Sequence, residues 1–405
     1  MTDLLSKAGG FGLSLLFLLS AMGCQVDLDT DQSVDVAQDA GAGSGAGSGD
    51  GRDLCTLLMT SDFSQTAALH TLGYRDGALR LSEPLTSVST DAVLRGRGDL
   101  VTVLNRYPAA YLQRVDPASN FATVWERGLP TGSNPSDIWI APDGRAVISL
   151  YGAGRPVEGG ELLEVNLLAE SESDWVLRRR SLAEWTEADG NPDASHLFSH
   201  GGLLFVVLQH LDAYPGCSAT GRSALLALDA ITLEPVPHFD GSATLTLAGC
   251  NAYSASLHAD GRLVIGLTGR FQWSGDASND GGVEVIDLAA GRSLGWLSRE
   301  GEHGAGDITE VAAGDDGSTL WVASGADFRG ELYAAAADGV VSGPLWDGEN
   351  IFDVAPQDGL LWVANRSGLS AAAALLDATG REVARAVPPA PPIAFLPLED
   401  TGLCP

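Results

Sequence analysis

From residue 54 onward the chain alternates short apolar runs with tight polar punctuation, and the same order of parts keeps returning. The clearest copy runs from Asn134 to Leu168. SDIWIAP and AVISLYG are rich in β-branched and aromatic residues and are separated by Asp143-Gly144, a dipeptide whose tolerance of positive φ suits a tight hairpin. ELLEVNLL alternates as a third strand. DWVLRRRSL supplies a fourth, whose three arginines mark the solvated outer edge of a sheet. Strand, DG or GG turn, apolar strand, loop, strand, turn, strand recurs upstream from TDAVLRGRGDLVTVLNR and downstream through ASHLFSHGGLLFVVLQHL, YSASLHADGRLVIGLTGR, ITEVAAGDDGSTLWVAS and IFDVAPQDGLLWVAN. First strands start near residues 90, 136, 195, 252, 307 and 351, a spacing of roughly 42 to 60 residues that fits four-stranded propeller blades with loop insertions better than a sandwich or a stacked solenoid.

The two ends of the chain complete one further unit. DLCTLLMTSD, AALHTLGYRDG and ALRLSEPL match only the second to fourth strands of a blade, whereas PPIAFLPLED matches only a first strand. Pairing the ends closes the ring and removes the exposed edge that a linear array would present. The expected fold is all-β, a seven-bladed β-propeller over residues 53–405 closed by its N- and C-terminal strands.

Residues 1–23 have the form of an export signal: Lys7 in a weakly basic start, an apolar run from Phe11 to Leu19 too short to span a bilayer, then Ala21-Met22-Gly23-Cys24. The small residue before Cys24 resembles the bacterial lipobox, with Ala21 where leucine is more usual. That resemblance implies cleavage before Cys24 and a diacylated thiol, an anchor of more than one chain being stable in a membrane. No aspartate follows at the second position, which by the sorting rule of such lipoproteins points to the outer membrane. Residues 24–52, the lipidated cysteine followed by an aspartate-rich and then Gly/Ala/Ser-rich stretch, read as a tether. Its 28 residues after Cys24 would span about 30 Å as a flexible coil.

A formal charge of −30 excludes the basic footprint that nucleic-acid binding needs, and fits solubility or a saline habitat. With Cys24 assigned to lipid, Cys55, Cys217, Cys250 and Cys404 form an even set in an exported protein. Three pairings exist and the propeller selects one. Cys55 opens the second strand of the closing blade and Cys404 follows its first strand, while Cys217 and Cys250 lie in loop types that share one face; the expected bridges are Cys55–Cys404 and Cys217–Cys250.

Loops leading into first strands share a polar signature: Asn134-Pro135-Ser136-Asp137, Asn191-Pro192-Asp193-Ala194, Asn251-Ala252-Tyr253-Ser254 and Asn350-Ile351-Phe352-Asp353, with Asp91 and Asp307 in corresponding places. First strands line the channel of a propeller, so these side chains form a candidate ligand site at its mouth. Oxygen ligands at Asp91, Asp137, Asp307 and Asp353 suit Ca²⁺; alternatively, Asn and Asp at a strand start satisfy turn backbone groups. Repetition around a ring favours architecture. His196, His200 and His210 fall in one unit but on a hairpin that spreads them, which argues against a metal site. The loop 271–282 carries Asp276 and Asp280 without EF-hand spacing, and no nucleophile elbow, H-E-x-x-H pair, P-loop or C-x-x-C is present.

NPSDIWIAPDGRAVISLYG, DGNPDASHLFSHGGLLFVVLQHLD with TGRSALLALDAITLEPV, and DGGVEVIDLAAGR resemble the YVTN-type β-propeller proteins, bacterial exported proteins that include many surface lipoproteins, over most of residues 88–387. VISLYG and WVAN replace the namesake tetrapeptide. The resemblance implies fold and export and transfers no catalytic residue. Gluconolactonase-type propellers, similar in shape, use a central Ca²⁺. The leading expectation is a monomeric, non-enzymatic envelope lipoprotein that binds a protein, glycan or small molecule, without a cofactor. Its rival is a Ca²⁺-dependent hydrolase or lactonase working at the channel mouth.

Overall fold

The computed structural model describes residues 52–106, 109–151, 160–187, 190–211, 217, 221–271, 280–303, 306–348, 350–367 and 371–405; the export signal, Cys24, the tether up to residue 51 and Asp276 lie outside them. The described residues form seven antiparallel sheets in strand order. Numbering from the closing blade, blade 1 joins Pro392–Leu398 to Leu54–Ser61, Ala67–Arg75 and Ala78–Leu81, with Thr86–Ser87 beside the third of these strands. Blades 2 to 7 begin with the innermost strands Ala92–Arg97, Pro135–Ile140, Ala194–His200, Ala252–Leu257, Asp307–Ala313 and Ile351–Gln357. Each innermost strand runs from the face we call the top to the bottom. No helix among the described residues is long and apolar enough to cross a membrane.

Local chemistry makes the hairpins. Asp358 and Gly359 both take positive φ (50° and 75°), as do Gly201 and Gly202 (59° and 80°), the geometry of a two-residue turn whose twist matches the strands it joins. At Asp143-Gly144 only the glycine is left-handed (φ 82°), and the Gly144 N–H closes a wider loop on the Ala141 carbonyl at 3.1 Å. A Cβ there would meet Leu168 at 2.7 Å, so both the backbone and the packing require glycine.

Between blades the core is largely apolar. Trp362 of blade 7 packs on Phe395 of blade 1 with ring centroids 5.9 Å apart, both fully buried. Trp321 stacks on Tyr333 at 5.7 Å inside blade 6. Side chains of this size contribute roughly 1.5–3 kcal/mol each on burial.

Closure follows the expected register: Cys55 lies opposite Leu398 and Leu58 opposite Phe395. The Cys55–Cys404 bridge has S–S 2.02 Å and Cα–Cα 5.6 Å. Cys217 and Cys250 also pair, with Cα atoms 5.8 Å apart. The first bridge sits at the bottom face, the second at the top.

Candidate functional site: the channel mouth

The polar signature at the start of the innermost strands resolves into four positions with separate jobs. At the first, the backbone carbonyl accepts the N–H of the residue that follows the second strand: Arg106 to Asp91 (2.9 Å), Tyr151 to Asn134 (3.1 Å), Gln209 to Asp193 (3.1 Å), Thr268 to Asn251 (3.0 Å) and Arg366 to Asn350 (2.8 Å). Asn134, Asp193 and Asn251 take φ of 40°, 52° and 55° here, a left-handed conformation that Asn and Asp tolerate best among non-glycine residues. In blade 4 the equivalent of Asn134 is therefore Asp193. Asn191 lies two residues before it, and its amide donates to Asp193 Oδ1 at 2.6 Å.

The third position is a β-bulge. Pairing with the second strand slips by one residue at Ser136, at Ser195–His196, at Tyr253, at Thr309, at Phe352 and at Ile393; blade 2 pairs without a slip. An extra residue bends a strand and re-aims its side chain. Ser136, Tyr253, Thr309 and Phe352 are half-buried while the residues on either side of each are buried; at the other two slips Ser195, His196 and Ile393 are buried.

The fourth position staples one blade to the next. Asp137 Oδ2 accepts the N–H of Leu197 in blade 4 at 2.8 Å, Ser254 Oγ that of Val311 in blade 6 at 2.8 Å, and Asp353 Oδ2 that of Phe395 in blade 1 at 2.6 Å. His196 reaches forward likewise, its Nε2 donating to the Tyr253 carbonyl at 3.0 Å. Asp137 also takes Arg95 Nε at 2.9 Å across the blade 2 to blade 3 junction, with both side chains buried. Burial raises the Asp353 carboxyl above the usual range, opposed by the backbone N–H groups of Phe395 and Val354 and by Arg95. Burial lowers His196 to about 4, so its imidazole is neutral at pH 7.

The remaining candidates lie elsewhere in the register. Asp91 is buried and paired with Arg106 at 2.7 Å; burial raises its carboxyl and Arg106 opposes the rise. Asp307 is buried two residues before the bulge at Thr309, the place Asn350 takes before Phe352, and lies beside Glu300. Glu300 accepts the Gly281 N–H at 2.9 Å, and burial, reinforced by the carboxylates of Asp307 and Asp280, pushes it up to about 8. Asn251 Nδ2 donates to the Gly269 carbonyl at 3.1 Å, and the Asn350 N–H donates to Asn365 Oδ1 at 3.3 Å. Asp91 and Asp307 thus stand at the start of the signature, whereas Asp137 and Asp353 stand at its fourth position. Among the described residues no three His, Cys, Asp or Glu side chains come together as ligands for one metal ion. His210 Nε2 donates to the Trp185 carbonyl at 3.0 Å, away from His200 at the far end of its strand.

What the mouth displays instead is aromatic and hydroxylic. The Arg366 guanidinium lies 4.0 Å over the Phe63 ring and 5.0 Å from that of Phe352, and these two rings are 5.6 Å apart. Across the ring, Tyr253 meets Phe271 edge-on at 5.6 Å. Sequence reasoning passed over Phe63, Arg95, Arg366 and the bulge residues. NPSD, NAYS and NIFD share a register in which the third residue is serine, tyrosine or phenylalanine, but the second also ranges from alanine to isoleucine, so size did not single the third out.

No protein-family model matches the chain, and no curated protein matches it. Solved structures do. The periplasmic gluconolactonase PpgL of Pseudomonas aeruginosa superposes with a TM-score of 0.59 at 14% identity over 86% of this chain and 99% of that one. A putative 6-phosphogluconolactonase of Bacteroides fragilis gives 0.58 at 11% identity over the same shares. The computationally designed Ika8 protein gives 0.50 at 11% identity, covering 84% of this chain and 90% of its own. At such identities the likeness is one of fold: this chain is a seven-bladed propeller, with neighbours among the lactonase-like propellers.

Proposed function

We propose that this is an exported, membrane-anchored propeller of the YVTN-type kind that binds a glycan or other small polar ligand at the channel mouth. The observation that carries the reading is the bulge ring: Ser136, Tyr253, Thr309 and Phe352 are turned out of the strand pairing to the mouth, offering hydroxyls and aromatic faces of the kind that orient sugar rings. The acids a Ca²⁺-dependent hydrolase would need fit that role poorly. Asp137 and Asp353 are buried, with oxygens already receiving backbone N–H groups and, for Asp137, Arg95. A lactonase neighbour of the same fold keeps hydrolysis as the competing outcome.

Calorimetric titration with a panel of oligosaccharides and sugar acids, on the whole chain and on Phe352→Ala and Tyr253→Ala, tests the reading. Loss of binding by tenfold or more in either variant, at unchanged melting temperature, is the expected result. Binding indifferent to both variants places the ligand elsewhere, and Ca²⁺-stimulated lactone hydrolysis abolished by Asp137→Asn would replace the binding reading with the hydrolase one.

A further inference from the structure

The two faces of this propeller differ in what they are made of and in where the chain enters. On the bottom face the hairpins are tight and expose aspartates at Asp76, Asp99, Asp338 and Asp358, with Asp143 and Asp260 there paired to Arg145 and Arg262. On the top face lie the mouth and the Cys217–Cys250 bridge. The chain joins the ring from below. Arg52 donates through Nη1 to the Asp358 carbonyl in a bottom hairpin of blade 7 at 2.6 Å, Asp53 pairs with Arg75 at 2.9 Å, and Cys55 is then bonded to Cys404. Residue 52, where the tether ends, is therefore held at the bottom rim.

We infer that the mouth is presented away from the lipid surface, to a ligand or partner arriving from the side opposite the membrane. This rests on the anchored reading above, in which lipid at Cys24 pulls through residues 25–52. Pulling from the bottom rim turns that rim toward the bilayer. The exposed aspartates then meet an anionic leaflet whose surface potential of about −30 mV repels them within a Debye length of about 8 Å. They keep the bottom from lying flat on the lipid without reversing the molecule. Strands of six residues separate the two faces by about 20 Å, so top and bottom labels report different depths. The attachment point holds the bottom near the lipid and the acidic turns keep it from docking there, so the mouth stays open.

The test uses the full-length acylated protein on vesicles of phosphatidylethanolamine and phosphatidylglycerol carrying a headgroup quencher. One environment-independent dye is placed by a click-reactive residue at Gln65, exposed in a top loop, or at Val340, 64% exposed at the tip of a bottom hairpin. Quenching at Val340 at least twofold stronger than at Gln65 is expected, and raising salt should deepen it. Equal or reversed quenching on protein that does sediment with the vesicles overturns the orientation alone. Failure of the acylated protein to sediment, or equal sedimentation of Cys24→Ser, removes the anchored reading and the orientation with it.

Discussion

The two disulfides offer a test in which one structural quantity, the length of chain each closes, decides the outcome. Cys55 and Cys404 are 349 residues apart, Cys217 and Cys250 only 33. If a bridge acts by restricting the unfolded chain, loop-closure entropy gives about 6 kcal/mol at 25 °C for the first and about 4 kcal/mol for the second. Each pair joins one buried and one half-buried cysteine, so the cavities left by alanine are similar and the difference isolates the loop term. Unfolding entropy of about 2.1 cal/mol/K per residue, over about 350 ordered residues, converts these to melting shifts of about 8 °C and 5 °C. The double variants Cys55→Ala/Cys404→Ala and Cys217→Ala/Cys250→Ala are to be compared by thermal and urea unfolding under non-reducing conditions. The ring-closing bridge should cost more, and its removal should lower the urea midpoint while raising the m-value, because the unfolded chain without the cross-link exposes more surface. A larger loss from the 33-residue bridge would refute the entropic account and show that local order around Cys250 dominates instead.

Asp137→Ala strands both Arg95 and the Leu197 N–H in a buried setting and should cost about 3–5 kcal/mol; Asp137→Asn keeps an acceptor for Leu197 and should cost clearly less, and equal losses in denaturant titrations would show that the blade-to-blade hydrogen bond carries nothing. Glu300 keeps its proton up to about pH 8 when folded and releases it near 4.5 when unfolded, so its contribution is complete below pH 4.5 and is lost as pH rises through 8. Glu300→Gln should flatten that part of the melting-temperature profile, and a slope identical to the parent's would refute the assignment.

The fold was legible because its determinants are local. Apolar runs separated by Asp-Gly or Gly-Gly fix strand, turn and strand within about fifteen residues, and the incomplete units at the two ends gave the closure and then the Cys55–Cys404 bridge. The site was half legible. NPSD, NAYS and NIFD were visible as a repeated polar signature, but polarity alone does not separate a residue chosen for its backbone conformation, such as Asn251 at φ 55°, from one chosen for its carboxylate, such as Asp353. In blade 4 the more conspicuous Asn191-Pro192 drew the register two residues early, away from Asp193-Ala194-Ser195-His196. Bulges were invisible for a physical reason: a slip in pairing depends on the partner strand, and nothing in the bulged segment itself records it. Arg95, midway along the strand AVLRGR, was the readable sign of the buried ion pair.

Dividing the signature by position explains how one ring can be rigid and still specific. The first residue supplies a left-handed turn and the second fills the core between blades. The fourth holds the next blade through a backbone N–H. Changing any of these disturbs a buried partner, as at Asn134, Ile351 or Asp137. The third is more varied: serine, tyrosine, threonine and phenylalanine stand there half-buried, while Ser195 and Ile393 at the bulges of blades 4 and 1 are buried. Tolerance of that breadth, at four places around one mouth, is what a surface needs if its chemistry is to be altered without altering the scaffold. The polar residues that stand out in the sequence are therefore the frame, and on the binding reading proposed above the inconspicuous residue between them is where recognition would be set.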